Sequence, residues 1–479
     1  MGSVNTTSVR EEAERIKAEF QRLSQNEKIS AEVNMLVQSM FMLINLLIAI
    51  FFEKTTKKNN KNSSKPSSQT DKDESSTTNP GTNGKGKLES DVVAKNTRTI
   101  EKITIACVTQ CGVCGQDLTD APCQHIERRT KIDIVFEKIV EHVDAEIKHC
   151  PSCDSTVKGV FPADMNSPLQ YGNGLKAYII SLLVCQMVSL NRTQKMIKSI
   201  IGEVLSEATL LKFVLRLYLA LESWELTSTE QLLTCPAMNV DETSLRVDKK
   251  NHWIHVYSAG DITLKFLHRN RGLDATEDIN IIPRYSGTII HDCLASYLSY
   301  DHCGHGLCGS HIVRELTCVI ESNGYKWATN MKALLLETCK KVSKRKKKRL
   351  SEKQYANLQK RYRNIITRGD RELPPIPDKP NGKRGRMAKS DAHNLLERLR
   401  DNESAVLLFA KKSEVPFTNN RAERDLRMAK VKQKVSGCFR RESYAKAYCR
   451  ISSYLQTMAN KGYNPLIAIQ MALDGKFVE

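Results

Sequence analysis

Acidic residues are in short supply in this chain. Against 73 Lys and Arg stand only 54 Asp and Glu, giving 479 residues a formal net charge of +19, with a pI near 9.2. That deficit favours a polyanionic partner, and nucleic acid ahead of a membrane surface. Long apolar sequence is scarce as well. The run Leu36 to Phe52 has 17 residues and is interrupted by Gln38, Ser39 and Asn45, whereas a bilayer span takes roughly 20. It reads as a buried or self-associating helix, with a membrane anchor as the alternative, and a membrane partner is not expected. Met1 to Arg10 lacks a basic segment leading into an apolar core, so no secretory signal is expected and the reducing cytoplasm is the natural compartment. Residues 53–90 lack nearly everything that could be buried, Leu88 being their only aliphatic or aromatic residue. Nothing there offsets the entropy of ordering, which predicts a disordered linker over 53–100.

What is present is enough for a core: hydrophobic residues make up 40%, mean hydropathy is −0.41, and the length suggests about three domains. Residues 1–52 read as an N-terminal helix with Ile16, Phe20 and Leu23 on one face, a possible coiled coil. Residues 101–165 form a cysteine-bearing module with strand-like alternation over Ile132–Phe136. Residues 166–232 are helical: one helix from Leu175 to Leu190, a second from Thr193 to Ile201, and a third capped by Ser206 and running through Leu221. A helix-turn-helix and a plain bundle both fit that pattern. Over 233–440 strands appear at Met238–Val240, Trp253–Tyr257, Ile262–Leu267 and Thr288–Ile290. Helices follow at 310–322, 330–363, 391–411 and 420–434, broken by Pro-rich 373–380 and Gly-rich 382–385. Helical sequence, including 443–460, fills 441–479. This is an α/β layered pattern.

Positive charge is concentrated. Residues 341–400 hold 20 Lys and Arg against 6 Asp and Glu, a net of +14. In the run Lys341–Leu350, with Lys346, Lys347 and Lys348 at its centre, like charges repel unless anions sit among them, which points to DNA phosphates. The 15 cysteines include two C-x-x-C pairs, Cys111/Cys114 and Cys150/Cys153. Each pair can present two thiolates from a tight turn, and four thiolates make a closed, structural zinc site. Neither pair lies in the βαβ setting of a redox motif. Cys123, His125 and His149 are read as bystanders.

Three carboxylates stand in three settings. Asp241 closes the apolar run of Ala237, Met238 and Val240; Asp292 closes Gly-Thr-Ile-Ile-His-Asp; Glu423 lies in Asn-Asn-Arg-Ala-Glu-Arg, which opens a helix. Two strand-end aspartates and a helix glutamate can converge into an all-oxygen site for two magnesium ions, or manganese. Singly, each has an ordinary explanation as a strand end, a turn cap or a solvated helix residue. On the last helix Glu423, Arg427, Lys430 and Lys434 are spaced by four, three and four and share a face. Arg421, Arg424 and Arg314 add to the expected phosphate ligands. Cys308 and His311 are expected to support the site through packing and hydrogen bonds, in preference to forming a second metal site with His302, Cys303 and His305.

The motifs in order resemble a transposase of the insertion-sequence-sixty-six type, from bacterial mobile elements. The resemblance rests on Lys61-Asn-Ser-Ser-Lys-Pro-Ser-Ser68, the two cysteine pairs, Tyr171-Gly-Asn-Gly-Leu-Lys-Ala177, Leu205-Ser-Glu-Ala-Thr-Leu210, Val240-Asp-Glu-Thr243, Asp292 with Tyr297, Cys308-Gly-Ser-His-Ile-Val-Arg314 and Asn419-Asn-Arg-Ala-Glu-Arg424. Departures fall at Ser67, at His291 and in the density of the 344–349 basic run. The resemblance implies a ribonuclease-H-like core whose catalytic triad is Asp241, Asp292 and Glu423. The spacing of 131 residues from Asp292 to Glu423 leaves room for a helical insertion over about 330–400. It further implies cleavage at element ends and strand transfer into target DNA, double-stranded DNA as partner, a homo-oligomer, accessory proteins of the same element, and a nucleoid-associated location. A nuclease without strand transfer, or a non-catalytic zinc-bearing DNA-binding protein, are the alternatives.

Overall fold

The computed structural model describes residues 103–134, 136–165, 167–376 and 389–477, with isolated positions 15, 16, 37 and 40. The N-terminal helix, the apolar run at 36–52, the linker at 53–100 with its Lys61–Ser68 motif, and the Gly-rich stretch at 382–385 lie outside the described residues. Between residues 103 and 477 the chain divides into two units. One is Leu226–Lys430; the other joins the residues before Leu226 to Val431 and beyond.

In the first unit, β3 (Ala237–Val247), β4 (Lys250–Ala259) and β5 (Ile262–His268) form an antiparallel meander. Asp248 and Lys249 both adopt left-handed conformations, at φ 47° and 60°. That is the two-residue turn whose twist suits a hairpin, and it sets Val247 opposite Lys250. Gly260, at φ 51°, opens the second turn. The chain then passes through α5 (Leu273–Ile279) to β6 (Thr288–His291), which runs parallel to β3, and on through α6 (Ala295–Leu298) to β7 (Gly304–Leu307), parallel to β6. The sheet order is β5-β4-β3-β6-β7.

The fifth strand was not expected from sequence, because Gly-His-Gly-Leu has no β-branched residue. Its glycines are there for closeness. A Cβ at Gly304 would come within 2.8 Å of the Thr288 hydroxyl, and one at Gly306 within 3.0 Å of the Val415 side chain.

After β7 come α7 (Gly309–Asn323), α8 (Lys326–Ser343), α9 (Glu352–Glu372), α10 (Asp391–Asp401), α11 (Glu403–Lys411) and α12 (Asn420–Ser436). The single helix expected over 330–363 is two, because the chain turns at 344–351. There Lys348 is left-handed, the buried Leu350 donates its N–H to the Ala410 carbonyl, and Ser351 opens α9 with a capping box. The segment expected over 391–411 likewise divides at Asn402. Leu316, Trp327, Met331, Leu335, Tyr362, Leu396 and Phe409 bury one core together with Ile290 and Leu307 of the sheet. These helices are therefore packed into the same hydrophobic layer as the strands.

In the second unit, β1 (Ile147–His149) and β2 (Thr156–Lys158) pair antiparallel. Ile132–Phe136, read as strand-like, belongs to no strand among the described residues. Ile132 and Ile134 are exposed, so the alternation there has no buried side to serve. Helix α1 (Asn173–Ile180) widens into a π-helical turn over Ser181–Cys185 and stops at the left-handed Met187. The expected helix Leu175–Leu190 is thus cut short, and α2 (Leu190–Ile201) begins anew. Gly202, at φ 73°, ends α2. Ser206 caps α3 (Glu207–Ala220) by accepting the Thr209 N–H at 3.1 Å, as its position predicts. Helix α4 (Glu222–Leu233) crosses the unit boundary after Glu225, and α12 crosses it after Lys430. The unit closes with α13 (Glu442–Asn460) and α14 (Pro465–Leu473), where Tyr454 meets Trp224 edge to face at 5.0 Å. No helix among the described residues is long and apolar enough to cross a membrane.

Candidate active site

Strand register creates the first half of the site. Ala237 pairs with Thr288, Met238 with Ile289 and Asn239 with Ile290. Two residues further on stand Asp241, inside β3, and Asp292, just past the end of β6. Carboxylate oxygens of Asp241, Glu242 and Asp292 lie within 4.8 Å of one another. Burial, then the charges of Glu242 and Asp292, push the Asp241 carboxyl well above the usual carboxylate range, and Glu423 adds to the effect. Asp292 accepts the Leu294 N–H at 3.3 Å.

Glu242 is the residue that sequence reasoning missed, although it stands next to Asp241. Its side chain is 0% exposed and paired to Arg271 at 2.7 Å. It also accepts the Tyr297 hydroxyl at 2.7 Å. Burial and Asp292 raise its pKa, against the pull of Tyr297 and Arg271. Arg271 lies over the Trp253 ring. The Asp-Glu tandem at 241–242 was the available signal.

Glu423, in the first turn of α12, faces the first turns of α7. Its Oε2 is 3.7 Å from Arg314 and its Oε1 is 3.6 Å from His311 Nδ1. A ligand atom from each of Cys308, His311 and Glu423 falls within 4.8 Å of the others. Burial alone would raise the Cys308 thiol and lower the His311 imidazole. Their mutual attraction outweighs it, so the thiol sits below its ordinary value and the imidazole above. Glu423 is thus close enough to Asp241 to be felt electrostatically, yet is held within the α7 cluster and not within the 4.8 Å group of the two aspartates.

Two asparagines join the halves. Asn419 donates to the Val240 carbonyl at 2.7 Å, accepts from the Asn239 side chain at 2.8 Å and gives its backbone N–H to Cys308 Sγ at 3.1 Å. His291 beside Asp292 is buried against His305 and pulled down to about 3, so it is neutral at physiological pH.

The donor set fits a hard divalent cation. Three carboxylates gather with Arg271 paired to Glu242, while Glu423 stands beside Arg314 with its Oε1 buried without a hydrogen-bond partner.

Elsewhere, each cysteine pair forms a knuckle. Gly115 and Asp154, both left-handed, return their N–H groups to the Cys111 and Cys150 carbonyls at 2.9 and 3.0 Å. Hydrogen bonds from the Cys114 and Val113 backbone lower the Cys111 thiol, and Ser155 lowers that of Cys153. No three of the four sulfurs come within 4.8 Å of one another.

Among the expected phosphate ligands, Lys346, Lys347, Lys348, Arg424, Arg427 and Lys434 are exposed. Three others are engaged internally. Lys430 donates to the Ser244 carbonyl at 2.8 Å and to its hydroxyl at 3.0 Å; Arg421 donates to the Ile262 carbonyl at 3.0 Å; Arg314 serves Glu423.

A search of curated proteins finds no match to the chain. The family model described as Transposase IS66 family matches residues 168–447, more than half of the sequence. That span holds all four carboxylates, Cys308, His311 and the asparagines that bind the two halves together, and the chain belongs to the IS66 transposase family.

Proposed function

We propose that the chain cuts DNA at the ends of a mobile element and joins the freed 3′-hydroxyls to target DNA, using Asp241, Asp292 and Glu423. The observation that carries this reading is the β3–β6 register, which sets Asp241 beside Asp292 in a transposase-family chain with Glu423 near enough to raise Asp241. The sheet order, with its second strand reversed and its fourth and fifth parallel to the first, supports a ribonuclease-H-like core.

Magnesium or manganese held by the three carboxylates would stabilise charge on the phosphate and acidify the attacking water or 3′-hydroxyl. The chain's own residues do the positioning. Arg271 and Tyr297 fix Glu242 against the two aspartates. His311 and Arg314 hold Glu423, and Asn419 ties the start of α12 to the strand that carries Asp241. Neutral His291 adds no positive charge beside Asp292. Exposed Arg424, Arg427, Lys434 and the 346–348 lysines track the DNA backbone. Cys111, Cys114, Cys150 and Cys153 bind one structural zinc, and α2–α3 contribute to DNA recognition. Pairing two element ends calls for a homo-oligomer, with accessory proteins of the same element, working at the bacterial nucleoid.

The test uses purified chain, magnesium and a duplex bearing the inverted repeats that flank its gene. Nicked ends and a joined product are expected, both absent in Asp241→Asn, Asp292→Asn and Glu423→Gln. Nicks without joining indicate a nuclease, and binding alone a non-catalytic DNA-binding protein.

A further inference from the structure

A second metal chemistry lies beside the first. Cys308 Sγ, a His311 ring nitrogen and a Glu423 carboxylate oxygen gather within 4.8 Å. Sulfur, nitrogen and oxygen together are the donors of a borderline-soft ion, not of magnesium. Two of the atoms lack a hydrogen-bond partner. His311 Nδ1 and Glu423 Oε1 are both buried and make no hydrogen bond. They face each other at 3.6 Å, close to the roughly 3.4 Å edge between nitrogen and oxygen ligands of a tetrahedral zinc with bonds of about 2.1 Å. Cys308 is 1% exposed, and Asn419 N–H fixes its sulfur at 3.1 Å. His311 and Glu423 come from the first turns of α7 and α12, which Asn419 and the Gly309 N–H to Phe417 carbonyl bond at 2.8 Å hold in place. The neighbours first considered for a second site, His302, Cys303 and His305, bond elsewhere: His302 to the Ile282 carbonyl, Cys303 and His305 to the Tyr300 carbonyl.

We propose that Cys308, His311 and Glu423 form a zinc site that withdraws Glu423 from the magnesium site and so switches the enzyme off. Zinc would compete for the carboxylate that the magnesium site needs. Bound to zinc with Cys308 and His311, Glu423 stays in the α7 cluster, outside the 4.8 Å group of Asp241, Glu242 and Asp292. The fourth zinc position is open to water. The inhibitory half of this inference rests on the proposed magnesium-dependent cleavage; zinc binding does not.

The test counts zinc on the full-length protein after equilibration with limiting free zinc, and follows thiolate-to-metal charge-transfer absorption with cobalt. Cys308→Ala and His311→Ala should each bind one ion fewer than wild type and lose part of the cobalt absorption, with unchanged circular dichroism. Should either fail to fold, Glu423→Gln, which keeps the side chain's shape, serves for the count. Equal zinc counts in wild type and the folded variants overturn the site. In manganese-supported cleavage, zinc should inhibit wild type, and Cys308→Ala, measured against its own zinc-free rate, should need at least tenfold more. Equal sensitivity overturns the switch. Wild type that binds the ion yet never cleaves defeats the cleavage reading, and the switch with it, and leaves the zinc site standing.

Discussion

The Asn419 side chain donates to the Val240 carbonyl at 2.7 Å, so a residue four places before Glu423 is bonded to the residue just before Asp241. This one amide, buried together with Asn239, spans the gap between strand and helix that the carboxylates themselves leave open.

Replacing it should therefore cost both stability and activity. Asn419→Ala strands the Asn239 amide and the Val240 carbonyl in a buried setting, at about 1–3 kcal/mol for each group left unpaired. Denaturant unfolding should show a loss of about 2–6 kcal/mol for the two groups together, with metal-dependent cleavage falling further than stability. Unchanged cleavage in a folded Asn419→Ala protein would free Glu423 from any dependence on this link.

Asp241 makes a prediction of opposite sign. Its folded pKa lies above the unfolded one, so its contribution to stability is complete below the unfolded value, near 4, and is lost as pH rises through the folded value. Metal-free protein should melt lower at neutral than at mildly acidic pH on this account. Asp241→Asn should remove that part of the dependence and stabilise the metal-free protein at neutral pH by about 0.5–2 kcal/mol, while abolishing cleavage. Magnesium should raise the melting temperature of wild type and not of the variant.

Glu242 and Arg271 form an asymmetric pair, the carboxylate being 0% and the guanidinium 42% exposed. Arg271→Ala leaves a buried carboxylate with Tyr297 alone, and should cost about 3 kcal/mol, the low end for breaking a buried ion pair. Adding Glu242→Gln removes the uncompensated charge and should recover at least half of that loss. A double-mutant cycle measures this; strict additivity would mean that the pair has no energetic coupling.

How far the sequence revealed this depends on what each residue answers to. Asp241 and Asp292 were readable because apolar runs ended on them; Asp292 does follow the end of β6, but β3 continues to Val247, so Asp241 lies inside its strand and not at the strand end the sequence suggested. The helix opening at Asn420 was likewise visible in its local pattern. β7 was invisible, since its glycines answer to the Thr288 hydroxyl and the Val415 side chain, which no local pattern encodes. The break at 344–351 depends on Leu350 reaching Ala410, 60 residues on. Lys430 looked like a phosphate ligand by helical spacing alone, and only the tertiary fold brings Ser244 to its amine. The grouping of Glu423 with Cys308 and His311 has the same origin, because α7 and α12 are far apart in the chain.

The two cysteine knuckles give a prediction that is separate from the carboxylate site. Both pairs adopt tight turns with left-handed residues after the second cysteine, so Cys111→Ser/Cys150→Ser should bind one zinc fewer than wild type. Elemental analysis decides it. An unchanged zinc count in that double variant would place the ligands elsewhere.

The lysine turn separates affinity from specificity. Lys346, Lys347 and Lys348 are exposed between α8 and α9, while Leu350 anchors the turn behind them. Substituting all three with Gln should leave the fold intact. If each touches a phosphate, the slope of log affinity against log salt should flatten by roughly 0.9 per lysine, or about two to three units in all. Discrimination between element ends and random DNA should barely move, because phosphate contacts carry no base information. Lys430→Gln is the matching control: its amine is held by Ser244, so it should leave the salt slope alone and lower stability instead. A slope that responds to Lys430 and ignores the turn would reverse the assignment and put the DNA backbone along α12.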